Sequence, residues 1–235
     1  MKFTTSLNLV FLISLAVACG QNVFNQLESN KDPAEEATRA LDEEKFETAI
    51  SILNAAIQDE PNNYVYISLL ASAYAQKAGV DTMNFALEMA SGTGNSDGGI
   101  TGLFGAVPEA TSVNISTLSQ AVTLMDSIPL GNQTAGDQFK SSMFYTSLMT
   151  MQTKSLDTDG DGVLSDAELL ANLNDSNASE IINSILGAEN ALASYSADDG
   201  TGTAASNVSD IKSQIDALCI LLPCSCEQRS VQSRR

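Results

Sequence analysis

The chain has 235 residues, of which 43% are hydrophobic and only 6% aromatic, without Trp. It is long enough to bury a core, and this composition predicts closely packed helices, that is, an all-α fold. The formal net charge is −18 and His is absent, which disfavours nucleic acid as a partner and excludes both histidine catalysis and imidazole metal ligands.

The N-terminus, MKFTTSLNLVFLISLAVACGQ, is typical of an export signal. Its apolar run is too short for a helix across a hydrocarbon core of about 30 Å, so we predict a cleaved signal peptide over 1–18. The stretch LAVAC resembles the lipobox of bacterial lipoproteins, although Ala16 stands where Leu is usual. The resemblance implies that Cys19 carries acyl chains, and Gly20 favours an outer membrane lipoprotein facing the periplasm or the cell surface. An ordinary secretory signal is the alternative.

A polar linker, 19–33, precedes the first predicted helix. Asp32 and Pro33 indicate a helix start, because Asp accepts free backbone N–H groups and Pro suits the first turn. Segment 34–90 then carries apolar residues at helical spacing, interrupted at Pro61. Two antiparallel helices joined by a tight turn are therefore predicted around this break.

Segment 34–90 resembles the tetratricopeptide repeat, a helix-turn-helix unit of about 34 residues. Small residues in the pattern let neighbouring helices approach, and larger ones fill the gaps between them. The match is closest in the second helix of one repeat and the first helix of the next. The residues that carry it are Phe46, Ala49, Leu53, Ala56, Pro61, Ile67, Leu70, Ala71 and Tyr74. The resemblance implies a protein-interaction module; a generic Ala-rich helical hairpin is the alternative.

Residues 91–110 are rich in Gly and predict a loop or lid-like connection, since no phosphate-binding glycine pattern is present. Helical spacing resumes in a region spanning 111–222, where Thr117 with Gln120 resembles a capping box. The apolar residues of four helices predicted in this region are Leu118, Ala121, Val122 and Met125; Phe144, Leu148 and Met151; Ile181, Ile185 and Leu192; and Ile211, Ile215, Leu218 and Leu222. A polar tail, 223–235, is predicted to be disordered.

Three further cysteines, Cys219, Cys224 and Cys226, lie near the C-terminus. In an exported chain they predict one disulfide and one remaining thiol, with the pairing left open. Three Cys residues without His are too few for a zinc site.

Residues 157–168, DTDGDGVLSDAE, resemble the EF-hand calcium loop at every specified position. A hard cation takes about six to eight oxygen ligands, and alternate side chains of a curling loop point to one centre. Gly162 supplies the positive φ of the turn. The predicted ligands of Ca²⁺ are Asp157, Asp159, Asp161, the carbonyl of Val163, Ser165 and Glu168. A solvated acidic turn is the alternative.

The flanks of the loop match an EF-hand less closely. Met149, Leu156 and Leu164 are apolar as expected, but Thr153 is polar where Phe is common. Ser165 with Glu168 predicts a capping box for the exit helix. The residues of that helix expected to pack inward are Leu169, Leu170 and Leu173. Because the sequence contains no second loop of this type, we expect structural calcium, or a homodimer, rather than a calmodulin-like switch.

These features bear on three classes of function. The first is a lipid-anchored, calcium-binding helical-repeat module with an unidentified protein partner and an undetermined oligomeric state. The second, an enzyme, is not predicted, because no Ser or Cys has a His to activate it. The third is a ligand-binding component of a periplasmic solute uptake system, which would require a large apolar cavity.

Overall fold

The computed structural model describes residues 32–91 and 99–199. Within these two ranges the chain forms α-helices and short 3₁₀ segments without strands, which confirms the all-α prediction. The α-helices are α1 Pro33–Asp42, α2 Phe46–Asp59, α3 Tyr64–Lys77, α4 Thr82–Ser91, α5 Ser112–Asp126, α6 Ala135–Lys154, α7 Asp166–Asn172 and α8 Asp175–Asp199, and the 3₁₀ segments are Gly99–Ala106 and Leu130–Asn132.

Several predictions fall outside the described residues. These are the signal peptide, the lipid-bearing Cys19, the helix that would contain Ile211, the three C-terminal cysteines and the disordered tail. In the part of the chain that is described, no helix has the length and apolar character needed to cross a membrane.

The first three helices pack as two successive hairpins. Asp32 caps α1 as predicted, because its carboxylate accepts the N–H of Ala34 at 3.0 Å. Helix α2 lies against both α1 and α3. Most of the predicted repeat-packing residues are buried, namely Ala49, Leu53, Ala56, Ile67, Leu70 and Ala71, whereas Phe46 and Tyr74 are half-buried and Pro61 is exposed in the turn.

A second core is built between α3, α5 and α6. The predicted apolar faces of α5 and α6 are buried in it, with Leu118, Met125 and Phe144 each no more than 1% exposed. Helix α8 lies along α6, and the Ser184 hydroxyl donates to the Gln152 side chain at 2.9 Å. Helix α6 thus contacts helices on several sides.

Two local predictions were wrong. The Gly-rich connection is not only a loop, because Gly99–Ala106 is a 3₁₀ helix and Leu103, Phe104 and Val107 are buried. Thr117 does not cap a helix: α5 begins five residues earlier, where the Thr111 hydroxyl accepts the N–H of Asn114 at 3.1 Å. Thr117 lies inside α5, buried, and its hydroxyl donates to the Val113 carbonyl.

Candidate metal centre

The acidic loop begins where α6 meets the core. Leu156, 4% exposed, packs with Met149, Ile181 and Ile185, and Leu164 covers the same cluster from within the loop. These contacts confirm the predicted apolar positions around the loop. Asp157 follows Leu156 directly, so the backbone of the first predicted ligand is held in place by a buried neighbour.

Three aspartates of the loop converge. One carboxylate oxygen from each of Asp157, Asp159 and Asp161 lies within 4.8 Å of the others, and Asp157 is half-buried. Two ligands at about 2.4 Å from a shared Ca²⁺ can be separated by at most about 4.8 Å. The spacing and the hard oxygen donors therefore fit a calcium ion.

Backbone hydrogen bonds hold the loop in its curled shape. Asp157 accepts the N–H groups of Gly160 at 2.8 Å and Gly162 at 3.0 Å. Asp159 accepts the N–H of Asp161 at 3.1 Å, and Asp161 accepts that of Val163 at 2.7 Å. Each bond turns the chain around a carboxylate, so the three side chains stay directed to one region. Gly162 has the predicted positive φ, +80°.

Glu168 is not among the carboxylates that lie within 4.8 Å of one another. Its Oε2 accepts the N–H of Ser165 at 3.1 Å and the hydroxyl at 2.8 Å, which forms the predicted capping box of α7. Its Oε1 accepts the N–H groups of Thr158 at 2.8 Å and Asp159 at 3.3 Å. The bonds from Ser165, followed by that from Thr158, lower the pKa of Glu168 to about 2. Coordination by Glu168 would require these bonds to be exchanged.

The exit helix α7 differs from the prediction at one residue. Leu169 and Leu173 pack on the cluster around Leu156, as expected. Leu170 was expected to pack inward but is 87% exposed, because its position on this short helix faces away from the cluster. On the entering side, Thr153 is buried and satisfies its hydroxyl by donating to the Met149 carbonyl at 2.9 Å.

A cleft of about 540 Å³ separates the loop from the segment between the 3₁₀ helix and α5. Asp157 and Asp161 line one side, and Glu109 and Lys154 are the other charged residues in its walls. The Lys154 ammonium donates to the Phe104 carbonyl at 3.2 Å. No motif in the sequence singles out this lysine, although basic residues are rare here: between residues 78 and 209 the only ones are Lys140 and Lys154.

Comparison with known proteins returned no match to a family model, a curated protein or a solved structure.

Proposed function

We propose that this protein is a calcium-binding, lipid-anchored envelope protein that acts as a helical-repeat protein-interaction module, with calcium in a structural role. The observation that carries the calcium assignment is the convergence of Asp157, Asp159 and Asp161 within 4.8 Å. The loop joins α6 to α7, and α7 leads into α8, so a cation there would hold the C-terminal helices together.

The interaction role is supported by the packing of α1, α2 and α3. The small residues Ala49 and Ala71 are fully buried where the pattern requires close helix contact. Anchoring rests on the sequence around Cys19 alone. The uptake alternative needs a large apolar cavity, whereas the cleft beside the loop is lined by four charged side chains.

Calcium binding is tested by thermal unfolding with and without the ion. At about 100 times its Kd, calcium should add about 2.7 kcal/mol to the free energy of unfolding and raise the midpoint by about 5–10 °C. The variant Asp157→Ala with Glu168→Ala should not respond. The charge-matched control, Glu35→Ala with Asp42→Ala, removes two exposed carboxylates of α1 and should respond like the wild type. Equal responses in all three proteins would contradict the proposal.

The anchor is tested by mass spectrometry of the mature protein from its native envelope. A diacylated or triacylated Cys19 is expected at the N-terminus. An unmodified N-terminal residue would exclude the lipoprotein assignment and leave the calcium proposal standing. Crosslinking in the same envelope, with and without a chelator, would then identify the protein partner.

A further inference from the structure

Lys154 lies between two groups of acceptors. On one side its ammonium donates to the Phe104 carbonyl at 3.2 Å and lies 3.9 Å from a carboxylate oxygen of Glu109. On the other side it shares the cleft with Asp157 and Asp161 of the acidic loop. Its side chain is 22% exposed, so its charge is only partly screened by solvent.

The segment that Lys154 holds is part of the core. Leu103 and Val107 are buried in the same cluster as Phe85 of α4 and Phe144 of α6. The 3₁₀ helix contacts both α4 and α6. A change in the strength of the contacts between Lys154 and this segment would therefore affect the packing of α4.

The charge of the loop decides which acceptors attract Lys154 more strongly. With the loop carboxylates uncompensated, their negative potential draws the ammonium across the cleft. A divalent cation bound among the three aspartates would reduce their net charge from about −3 to about −1. The pull of the loop on the ammonium would then weaken, and its contacts with Phe104 and Glu109 would be favoured.

We propose that Lys154 couples cation binding in the acidic loop to the attachment of segment 99–109 on α6. The inference rests on the proposed calcium function. Because coupling is reciprocal, the same lysine lowers the affinity of the loop for the cation when its ammonium is drawn towards the loop, and segment attachment restores that affinity. Glu109 is 85% exposed, so solvent weakens its pair with Lys154 and the coupling is modest in size.

The test is amide hydrogen exchange at Leu103 to Val107 in the full chain, measured with and without calcium chloride. In the wild type, calcium should slow exchange at these amides about two- to fivefold. In Lys154→Met the calcium effect on these amides should disappear, while calcium affinity rises about two- to fivefold because a positive charge near the site is gone. Lys45→Met, which removes an exposed lysine in the first hairpin, should match the wild type in both respects.

The outcomes separate the two proposals. If calcium raises the thermal midpoint of the wild type but exchange at Leu103 to Val107 is unchanged, or changes equally in Lys154→Met, the coupling is wrong and the calcium site stands. If calcium leaves the midpoint of the wild type unchanged, the calcium function is wrong and the coupling is wrong with it.

Discussion

Two glycines of the acidic loop adopt backbone angles that other residues rarely reach. Gly160 has φ +72° and Gly162 has φ +80°. Both donate their N–H groups to Asp157, so their conformation places the hydrogen bonds that curl the loop. A residue with Cβ would be strained at either position.

We expect Gly162→Ala to lower the free energy of unfolding by about 1–2 kcal/mol, because alanine disfavours this positive φ. Its affinity for calcium should fall as well, since strain would be relieved by opening the curl around Asp157. Calorimetric titration and denaturant unfolding measure the two effects. Gly131→Ala is the control, because Gly131 has no atom within 4 Å of the added methyl and no positive φ. An unchanged affinity in Gly162→Ala would contradict this role of the loop shape.

At this scale the sequence predicted much of the site. The motif places Asp157, Asp159 and Asp161 together because alternate residues of a tight turn share a side, and the structure brings them together. It did not predict that Glu168 accepts the N–H groups of Thr158 and Asp159. Those bonds depend on how α7 is positioned by core contacts, which a local pattern does not contain.

At the level of secondary structure, the side chain of Tyr145 connects three helices. It lies on α6, its hydroxyl donates to Asp126 of α5 at 2.6 Å, and its ring lies against Gly187 of α8. Burial, followed by the hydrogen bond to Asp126, raises the pKa of Tyr145, so the phenol stays protonated and donating at neutral pH. Helix α8 can approach α6 this closely because Gly187 has no side chain.

Gly187→Ala should destabilise the fold by about 1–3 kcal/mol, because the new methyl would overlap the Tyr145 ring. In a Tyr145→Ala background, Gly187→Ala should lower the free energy of unfolding by less than it does in the wild type. A double-mutant cycle of unfolding free energies measures this difference. Gly136→Ala, whose methyl would meet only a Thr134 oxygen at 3.6 Å, is the control. Additive effects of the Gly187 and Tyr145 substitutions would contradict the contact.

A polar contact joins α3 to the start of α6. The Ser68 hydroxyl donates to Asp137 at 2.5 Å and accepts from the Lys140 ammonium at 3.0 Å. Burial raises the pKa of Asp137, but hydrogen bonds from Ser68 and Thr134 and the charge of Lys140 outweigh it, so the pKa is lowered overall. The ionised carboxylate is therefore the form that stabilises the fold.

Asp137→Asn should cost up to about 1 kcal/mol at neutral pH. A lowered folded pKa contributes stability above the unfolded value, about 3.9, and loses it as pH falls through the folded value. The difference between wild type and Asp137→Asn should therefore shrink as pH falls below about 4. Thermal unfolding at pH 7 and pH 3 measures it, with the exposed Asp42→Asn as control. A gap that is constant with pH would contradict this assignment.

The elements were predictable wherever apolar spacing was regular. The burial of Leu118 and Phe144 follows from such spacing. The 3₁₀ helix Gly99–Ala106 was not predictable in this way, because its glycines indicate a loop. The burial of Leu103 and Phe104 accompanies contacts of this segment with α4 and α6, which a local pattern does not contain. The capping box predicted at Thr117 was wrong for a similar reason. A Thr hydroxyl that accepts a backbone N–H at a helix start cannot be told from the sequence alone from one that donates to a carbonyl inside a helix.

In the whole molecule, the 29 acidic residues far outnumber the 11 Lys and Arg residues. The formal charge is −18, and the ion pairs found in ranges 32–91 and 99–199 number three, Lys45–Glu43, Lys77–Glu47 and Lys154–Glu109. Carboxylates therefore repel one another across the surface. A bound divalent cation would relieve this repulsion where Asp157, Asp159 and Asp161 converge.

Raising KCl from about 20 mM to about 500 mM should increase the free energy of unfolding by on the order of 1 kcal/mol, because the Debye length falls well below 10 Å. Denaturant unfolding measures the change. The variant Asp157→Ala with Glu168→Ala should keep most of this salt effect while losing the calcium effect. A fold that weakens in KCl would show that the few ion pairs outweigh the general repulsion.

Both ends of the acidic loop are already fixed by the folded chain. Leu156 is buried immediately before Asp157, and the capping box of Ser165 and Glu168 orders the exit. An ion that binds here meets a preorganised receptor, so little conformational entropy remains to be lost on binding. The affinity of such an ion would then depend largely on how readily Glu168 exchanges its hydrogen bonds from Ser165 and Thr158 for a bond to the ion, so the exit side of the loop would contribute to ion selectivity.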